Sequence, residues 1–526
     1  MASSPPILSL LERCSGMREL RAIHAQAVVL GLVRYAYIAS RILAFCAVSP
    51  RGSLQHARQL FDRIPQPTVF NWNTMIRGCS RSRRPEEGVL VYALMRRRGV
   101  GPNMHTFPFA VKACACLSRL AQVHGQVLKF GFDADVYVVS SLIKAYADYG
   151  SVDLARKAFD VSPNRNVVSW TSLITGYYSH GLVDRAREVF DQIPEKNDAS
   201  WSAMISGYAQ NERYEEAVEM FRAMRDYGCV KPNGPLLVSF LNACAGLGAL
   251  EEGRWVQAYV DGEGLEYGLE LGTALVNFYA KCGCLESALE VFHRMKKKDV
   301  TAWSAMIMGL ALNGQSQSAL KIFSKMLQCK VTPNAITFIG VLSACNHGGL
   351  LEEGREKFES MSKIYGISPT IEHYGCVVDL LARAGDVVEA VALIGRMPME
   401  PDGAIWGSLL SGCMMHGYPM LGEEVGRHVI QLDPQHSGRY VGLANMYAAV
   451  GRWEGVAKVR RMMKERRVPV DSGWSSIEMA GVVHLFLVDD RRHPQLEEIY
   501  AMLHEMNKEL DSSSCENIFD GGTSWW

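Results

Sequence analysis

Residues 71–78 read NWNTMIRG, and the chain rewrites that phrase four more times: SWTSLITG at 169–176, SWSAMISG at 200–207, AWSAMIMG at 302–309 and IWGSLLSG at 405–412. Trp72 and Trp170 are 98 residues apart, and Trp201 and Trp303 are 102 apart. With the phrase as register, units fill 69–103, 104–135, 136–166, 167–197, 198–233, 234–268, 269–299, 300–334, 335–370 and 371–402, each 31 to 36 residues long. Two weaker units cover 7–35 and 36–68, so the longer spacing is a triplet of units. Each unit reads as two helices. In 198–233 the first helix is expected near 200–210 and the second over 214–227, ending at Gly228. Ala217, Met220, Phe221 and Met224 fall at i, i+3, i+4, i+7, one apolar stripe. The stripe recurs as Ala288, Val291, Phe292, Met295 and as Ala319, Ile322, Phe323, Met326. A hairpin of about 35 residues cannot bury such a stripe alone, but stacked neighbours can. The pattern predicts an all-α solenoid of stacked helix-turn-helix repeats.

Bulk composition narrows the function. The 526 residues carry 55 Lys+Arg against 55 Asp+Glu, so no general basic field advertises a nucleic-acid partner, and any such partner must be held by a local surface. The basic runs at 83–84, 96–98 and 296–298 read as solvated helix ends. The 14 cysteines show no pairing pattern. Those in the pairs Ala113-Cys114, Ala243-Cys244 and Ala344-Cys345 look like small buried thiols of a repeated helix. The longest uncharged stretch, 234–250, is too short and too polar to span a membrane. The start, MASSPPILSLLERC, has no secretory pattern, and its Ser-rich, acid-free opening suits an organelle presequence, with 1–6 as a short leader.

These units resemble pentatricopeptide repeats of the plant PLS type, in which three variants alternate. The Trp-bearing phrases look like the P variant, LNACAGLGALEEG (241–253) and VLSACNHGGLLEEG (341–354) like the long one, and ALVNFYAKCGCLESALEVFHRM (274–295) like the short one. IEHYGCVVDLLARAG (371–385) is similar to the closing short repeat. The resemblance thus gives a repeat array of about 12 units over 7–402, E1 and E2 helical motifs over 403–470, an E+ motif over 471–508 and a tail over 509–526. It implies a right-handed superhelical array that binds single-stranded organellar RNA as the specificity factor for cytidine-to-uridine editing. Mitochondrion is the expected compartment, chloroplast the alternative.

In this family each repeat reads about one base through its fifth and last residues. Here those slots are Asn73/Asn103, Pro108/Asp135, Ser140/Asn166, Thr171/Asn197, Ser202/Asn233, Val238/Gly268, Thr273/Asp299, Ser304/Asn334, Ile339/Thr370 and Gly375/Asp402. An Asn amide donates and accepts, matching the mixed edge of adenine, whereas an Asp carboxylate only accepts, matching the N–H groups of guanine or uracil. By the family's code the target reads pyrimidine–any–A–A–A–any–G–A from the 69–103 unit onward. The second residue of each unit is expected to wedge between bases, a role that suits Phe70, Tyr137, Val168 and Ile336. Asn166, Asn197, Asn233, Asp299 and Asn334 also stand just ahead of a helix, where Asn or Asp is a good N-cap. Capping accounts for the last slot but not for Ser, Thr or Asn at the fifth. The 104–135 unit is about three residues short, expected between its helices around 118–122.

Deaminating cytidine takes a zinc-bound water held by an H-x-E and C-x-x-C ligand set. None of the 14 histidines has Glu two residues later, and no two cysteines are three apart. The chain is therefore expected to be no enzyme, with no catalytic residue, metal or cofactor of its own. The resemblance implies that a DYW-type deaminase is recruited in trans with accessory editing factors, at an E+ surface for which Trp474, Ile477, Phe486 and Tyr500 are the apolar candidates. Their other reading is packing within the segment. Competing functions are splicing, stability or translation of one organellar transcript, and protein binding in the manner of tetratricopeptide arrays. Those arrays hold to 34 residues per unit and give no reason for matched polar slots.

Overall fold

A computed structural model describes residues 6–228, 230–470, 473–479, 482–487, 491 and 493–512. The expected leader, apart from Pro6, and residues 513–526 of the expected tail lie outside the described residues. The chain divides into two compact bodies, with the boundary between Ala243 and Cys244.

In the first body, paired helices follow the unit register: Val69–Ser80 with Glu87–Arg97, Val136–Asp148 with Val152–Val161, Val167–Tyr178 with Val183–Asp191, and Asp198–Gln210 with Tyr214–Tyr227. The second body continues with Leu269–Lys281 and Leu285–Arg294, Val300–Leu312 and Ser316–Gln328, Ala335–Gly348 and Leu351–Lys363, and Ile371–Ala384 and Val387–Gly395. Two further pairs, Gly403–Met415 with Pro419–Leu432 and Ser437–Ala449 with Trp453–Glu465, keep the same build. First helices pack on first helices of the next unit, as in Val300–Leu312 against Ala335–Gly348. The result within each body is an α-solenoid. The apolar stripes are its core: Ala217, Met220, Phe221 and Met224 are buried, as are Ala288, Val291, Phe292 and Met295.

The repeated phrase is an inter-unit joint. Its Trp meets, edge to face, the Phe eleven residues earlier on the preceding unit's second helix: Phe61–Trp72 at 4.7 Å, Phe159–Trp170 at 4.6 Å, Phe190–Trp201 at 4.9 Å and Phe292–Trp303 at 5.0 Å between ring centroids. Such a pair contributes about 0.5–1.5 kcal/mol beyond the area it buries. The phrase's Gly lets the two first helices approach closely. A Cβ on Gly176 would stand 2.7 Å from the Ala147 methyl, and one on Gly309 2.5 Å from that of Ala280. In the fifth copy no Phe precedes at that distance, and Trp406 instead packs edge-on to His428 at 4.9 Å.

On the second-helix side ion pairs step between units: Arg185–Asp153 and Arg213–Asp184 in the first body, Arg294–Asp261, Arg355–Asp386 and Arg452–Glu423 in the second. Being solvated, each contributes about 0–1 kcal/mol, which serves register more than stability. The basic runs also reach inward: Arg96 lies 4.3 Å from the Phe130 ring and Lys298 5.2 Å from Phe292. The buried thiols of Cys114 and Cys345 are pushed up to about 11, chiefly by desolvation, which keeps them protonated and inert.

Two features differ from the sequence expectation. The short 104–135 unit loses its residues from the first helix, Thr106–Lys112, seven residues long, and the junction falls at 113–116. Residues 118–122 lie inside the second helix, Leu117–Lys129, because its apolar stripe Leu120, Val123, Val127 must stay in phase with the core. The E+ segment adds a two-stranded antiparallel hairpin, Trp474–Met479 with Val482–Leu487, followed by the helix Leu496–Ser512.

If the Gly–Ala approach fixes unit spacing, Gly309→Ala destabilises the second body by about 1–3 kcal/mol through overpacking. Chemical denaturation against the wild type measures this, and an unchanged midpoint would show that the joint has slack.

Candidate nucleic-acid interface

The last residue of most units stands at the start of the next unit's first helix, where a short side chain with an acceptor oxygen meets the open N–H groups. Asn166 Oδ1 accepts the Ser169 N–H at 3.0 Å, Asn197 that of Ser200 at 3.0 Å, Asn233 that of Leu236 at 3.0 Å and Asn334 that of Thr337 at 2.9 Å. Asp299 accepts from Ala302 at 3.0 Å, and Asp135 from Val138 at 3.0 Å. Asn103 accepts from His105 and Thr106 at 3.1 and 3.2 Å. Capping is therefore real at these slots. It employs one side-chain atom of the two, and it fixes which one. Each capping Asn caps through its oxygen and does not use its NH2 donor for the cap, while Asp299 and Asp135 cap through Oδ1 and leave Oδ2 as an acceptor.

The fifth residues lie one turn along the first helix, with little exposed surface. Asn73 donates to Asn103 Oδ1 at 3.0 Å and accepts from the Thr106 hydroxyl at 2.7 Å, so the two slots of that unit meet directly. Ser304 sits 2.7 Å from Thr337 Oγ1, which lies 3.0 Å from Asn334 Oδ1, so those slots meet through one hydroxyl. Ser140 and Thr171 bond back to the carbonyls of Val136 and Val167 at 2.7 and 2.9 Å. The hydroxyls of Ser202 and Thr273 are enclosed and have no partner, polar groups that a ligand edge could satisfy. Above them the second residues stand out into solvent: Phe70 is 55% exposed, Tyr137 70%, Val168 45% and Ile336 60%.

These features converge in the first body. A groove of about 400 Å³ is lined by Pro108 and Asp135 of one unit, Tyr137, Ser140 and Lys144 of the next, and Val168 of the third. A second groove of about 440 Å³ continues past Lys144 to Thr171, Ser172 and His180. Lys144, exposed, borders both and was not singled out in the sequence; its signal would have been the single basic residue of that first helix, one turn before Asp148. The 36–68 unit was also undervalued. Tyr37, 61% exposed, takes the second position, and Ser40 the fifth, accepting from Asn71 Nδ2 at 2.8 Å. The Tyr-to-Ser spacing matches that of Tyr137 and Ser140, and could have found it.

A larger groove of about 1010 Å³ lies beyond the array, between Trp406, Leu409, Met420 and His428, with Glu423 ion-paired to Arg427 and Arg452 at its rim. On the E+ segment Trp474, Ile477 and Tyr500 are more than half exposed. Phe486 differs: it is half-buried and stacks on His493 at 5.3 Å, packing within its own segment. Among the described residues no three His, Cys, Asp or Glu side chains gather as a metal site requires, and no helix is long and apolar enough to cross a membrane.

The profile described as PPR repeat family matches residues 67–116 and 298–347, and that described as PPR repeat matches 168–198, 199–229, 273–300 and 372–400. A pentatricopeptide repeat-containing protein of Arabidopsis thaliana is 48% identical over 510 residues, covering 96% of this chain and 82% of its own. The chain belongs to the pentatricopeptide repeat family. The profile described as E motif matches 420–478, in keeping with the E subgroup of the PLS class. A second Arabidopsis thaliana relative, whose name marks it chloroplastic, is 40% identical over 614 residues, with 97% of this chain and 83% of its own covered. Among solved structures, maize pentatricopeptide repeat protein PPR10 matches with a TM-score of 0.50 at 18% identity, over 86% of this chain and 78% of its own. That likeness bears on the fold.

Two predictions follow from the caps. Asp299→Asn keeps an acceptor for Ala302 and leaves stability unchanged, whereas Asp299→Ala lowers it by about 1 kcal/mol, measured by thermal or chemical unfolding. His373 is fully buried, with Nδ1 2.7 Å from the Thr370 hydroxyl and Nε2 2.9 Å from the Ala335 carbonyl, and burial lowers its pKa below the usual 6.5. The unfolded chain therefore gains a proton first as pH falls. Stability is full above about pH 6.5 and declines below it until the folded pKa is passed. His373→Asn should shallow that decline between pH 7 and 5.5 without abolishing it, since His24, His56 and His124 are lowered in the same direction.

Proposed function

We propose that this pentatricopeptide repeat protein binds single-stranded RNA in sequence-specific fashion and serves as the site-recognition factor for organellar cytidine-to-uridine editing, with a DYW-type deaminase and accessory factors recruited in trans. The observation that carries the RNA-binding reading is the division of labour in the last slot. One atom of each capping Asn or Asp holds a helix start and the other, a donor in Asn and an acceptor in Asp, is not used for capping; at Asn103 and Asn334 the cap also meets its fifth-slot group, and exposed Phe70, Tyr137, Val168 and Ile336 stand at second positions. A base entering between Tyr137 and Val168 would find Ser140 and the NH2 of Asn166 at its edge, a donor and acceptor pair suited to adenine. At Asp299 it would find an acceptor oxygen suited to guanine, while the unpartnered Thr273 hydroxyl, enclosed in the free protein, would have to be uncovered first. At Asn73 and Asn103 the RNA must first exchange a hydrogen bond that the free protein makes internally.

The RNA ordering expected from the slots, pyrimidine–any–A–A–A–any–G–A, is the target we propose. The E motif at 420–478 and the exposed apolar residues Trp474, Ile477 and Tyr500 support editing over splicing or stability as the outcome, since they supply a docking end apart from the slots. The compartment we propose is the mitochondrion, with the chloroplast, named for one of the relatives, as the competing location.

Asp299→Asn reverses acceptor to donor at one slot without removing the cap. It should shift preference opposite the 269–299 unit from G to A, by roughly tenfold for a discrimination of about 1–3 kcal/mol per base contact. Binding of the two RNAs that differ at this base measures it, and equal preference in both proteins would refute the slot. Sequencing of mitochondrial and plastid transcripts from plants lacking the gene should show one or a few cytidines unconverted, each just 3′ of a matching stretch. Intact editing with a lost splice junction would move the role to RNA processing.

A further inference from the structure

The E+ hairpin does not hang free of the repeats. Its strands pair Trp474 with Leu487, Ser476 with Leu485 and Glu478 with Val483, which puts Trp474, Ser476 and Glu478 on one face and Ser475, Ile477 and Met479 on the other. The first face meets an array unit more than 200 residues earlier. The Glu478 carboxylate accepts the backbone N–H of Leu250 at 2.5 Å and that of Glu251 at 3.1 and 3.2 Å. Ser476 Oγ lies beside Gly248, 3.7 Å from where a Cβ there would stand. The Cys282 thiol, raised chiefly by burial and then by Cys284, also feels the Glu478 charge. The second face forms, with the terminal helix, an apolar groove of about 560 Å³ between Ile477, Met479, Phe486, Ile499, Met502 and Leu503.

The helix Leu250–Gly262 needs an outside acceptor, because its N-cap is Ala249 and offers none. A carboxylate at that end also complements the positive pole of the helix. The other long unit is a built-in comparison: its helix Leu351–Lys363 starts with the same Leu-Glu-Glu-Gly, and its N-cap Leu350 likewise makes no side-chain bond.

We propose that Glu478 is a positioning residue that pins the E+ hairpin to the 234–268 unit, so that the groove on the hairpin's opposite face is offered to the partner protein at a fixed place on the array. The pin stands on its own geometry, and its consequence for partner delivery rests on the editing reading above. Glu478 on the first face is taken up by the array, while Trp474 at the end of that face stays exposed, and the partner engages the groove side, where Ile477 is also exposed.

The test uses the full chain. Hydrogen exchange with residue-level fragmentation should show the Glu251 amide exchanging more slowly than that of Glu352, its counterpart in the other long unit. Glu478→Ala should speed exchange at Leu250 and Glu251 about fivefold, the factor expected for a lost cap, and bring Glu251 level with Glu352. Glu478→Gln, which keeps an acceptor oxygen, should fall between. Affinity for the target RNA should stay unchanged in both variants, while cytidine conversion in complemented plants falls in the order wild type, Gln, Ala. Equal exchange of Glu251 and Glu352 in the wild type, or no change in Glu478→Ala, overturns the pin. Faster exchange with full conversion overturns its positioning role. A wild-type gene that restores no editing would count against the proposed function, and the exchange arm would still decide the pin.

Discussion

The structure hangs on the contact between successive hairpins, where an indole edge meets the phenyl ring of the unit before and a glycine admits a methyl group from the neighbouring first helix. No unit here has a core of its own. Each stripe is buried only when the next hairpin closes over it, so the stability of each body is a chain of nearest-neighbour interfaces. Trp303 on Phe292 and Gly309 on Ala280 set, respectively, how the second helix and the first helix of adjacent units approach. Units that lack the Trp solve the same problem with other rings: Phe221 stacks on Phe240 at 3.7 Å, and Phe323 meets Phe338 edge-on at 5.8 Å. The recurring phrase is thus a packing instruction first, and its third residue, polar in four of the five copies, is the one we propose as a base slot, the neighbouring positions being committed to the joint.

The same economy governs the last slot. A helix start needs an acceptor, and a base edge needs a donor or an acceptor, and Asn and Asp each have two polar atoms on one carbon. Capping with one atom aims the other and removes the rotational freedom that would blur its reading. In the function we propose, the structural role and the recognition role are joined in one side chain rather than rivals for it. Gly268 and Thr370 depart from the pattern in ways that match their units: the former has no side chain to aim, and the latter spends its hydroxyl on Glu372 and His373.

The E+ segment is governed by a different constraint. A hairpin of two strands has too little area to be stable alone, so it must lean on something, and here it leans both on its own terminal helix and on the Leu250 helix start. That explains why Phe486, which looked available for a partner, is engaged with His493, while Trp474, Ile477 and Tyr500 remain outward.

Helix pairing and the apolar stripes were legible in the sequence, because they obey local periods of about 3.6 and 35 residues that need no knowledge of distant chain. The hairpin was less so: Val482–Leu487 is an apolar run with two Val and a Phe, but WSSIEM before it shows no period of two, and an all-helical neighbourhood outweighed so short a strand signal. The site of the deletion in the 104–135 unit was misjudged because spacing alone counts missing residues without saying which helix yields them; the core stripe Leu120, Val123, Val127 decides that. What the sequence by itself determined is the set of units and the chemistry each presents, both properties of contiguous residues. What only the tertiary structure decided is which atom of each Asn and Asp is left free, that Asn73 and Asn103 meet, and that Glu478 reaches Leu250. Those depend on the direction of side chains across interfaces between segments that the linear order keeps 30 to 228 residues apart.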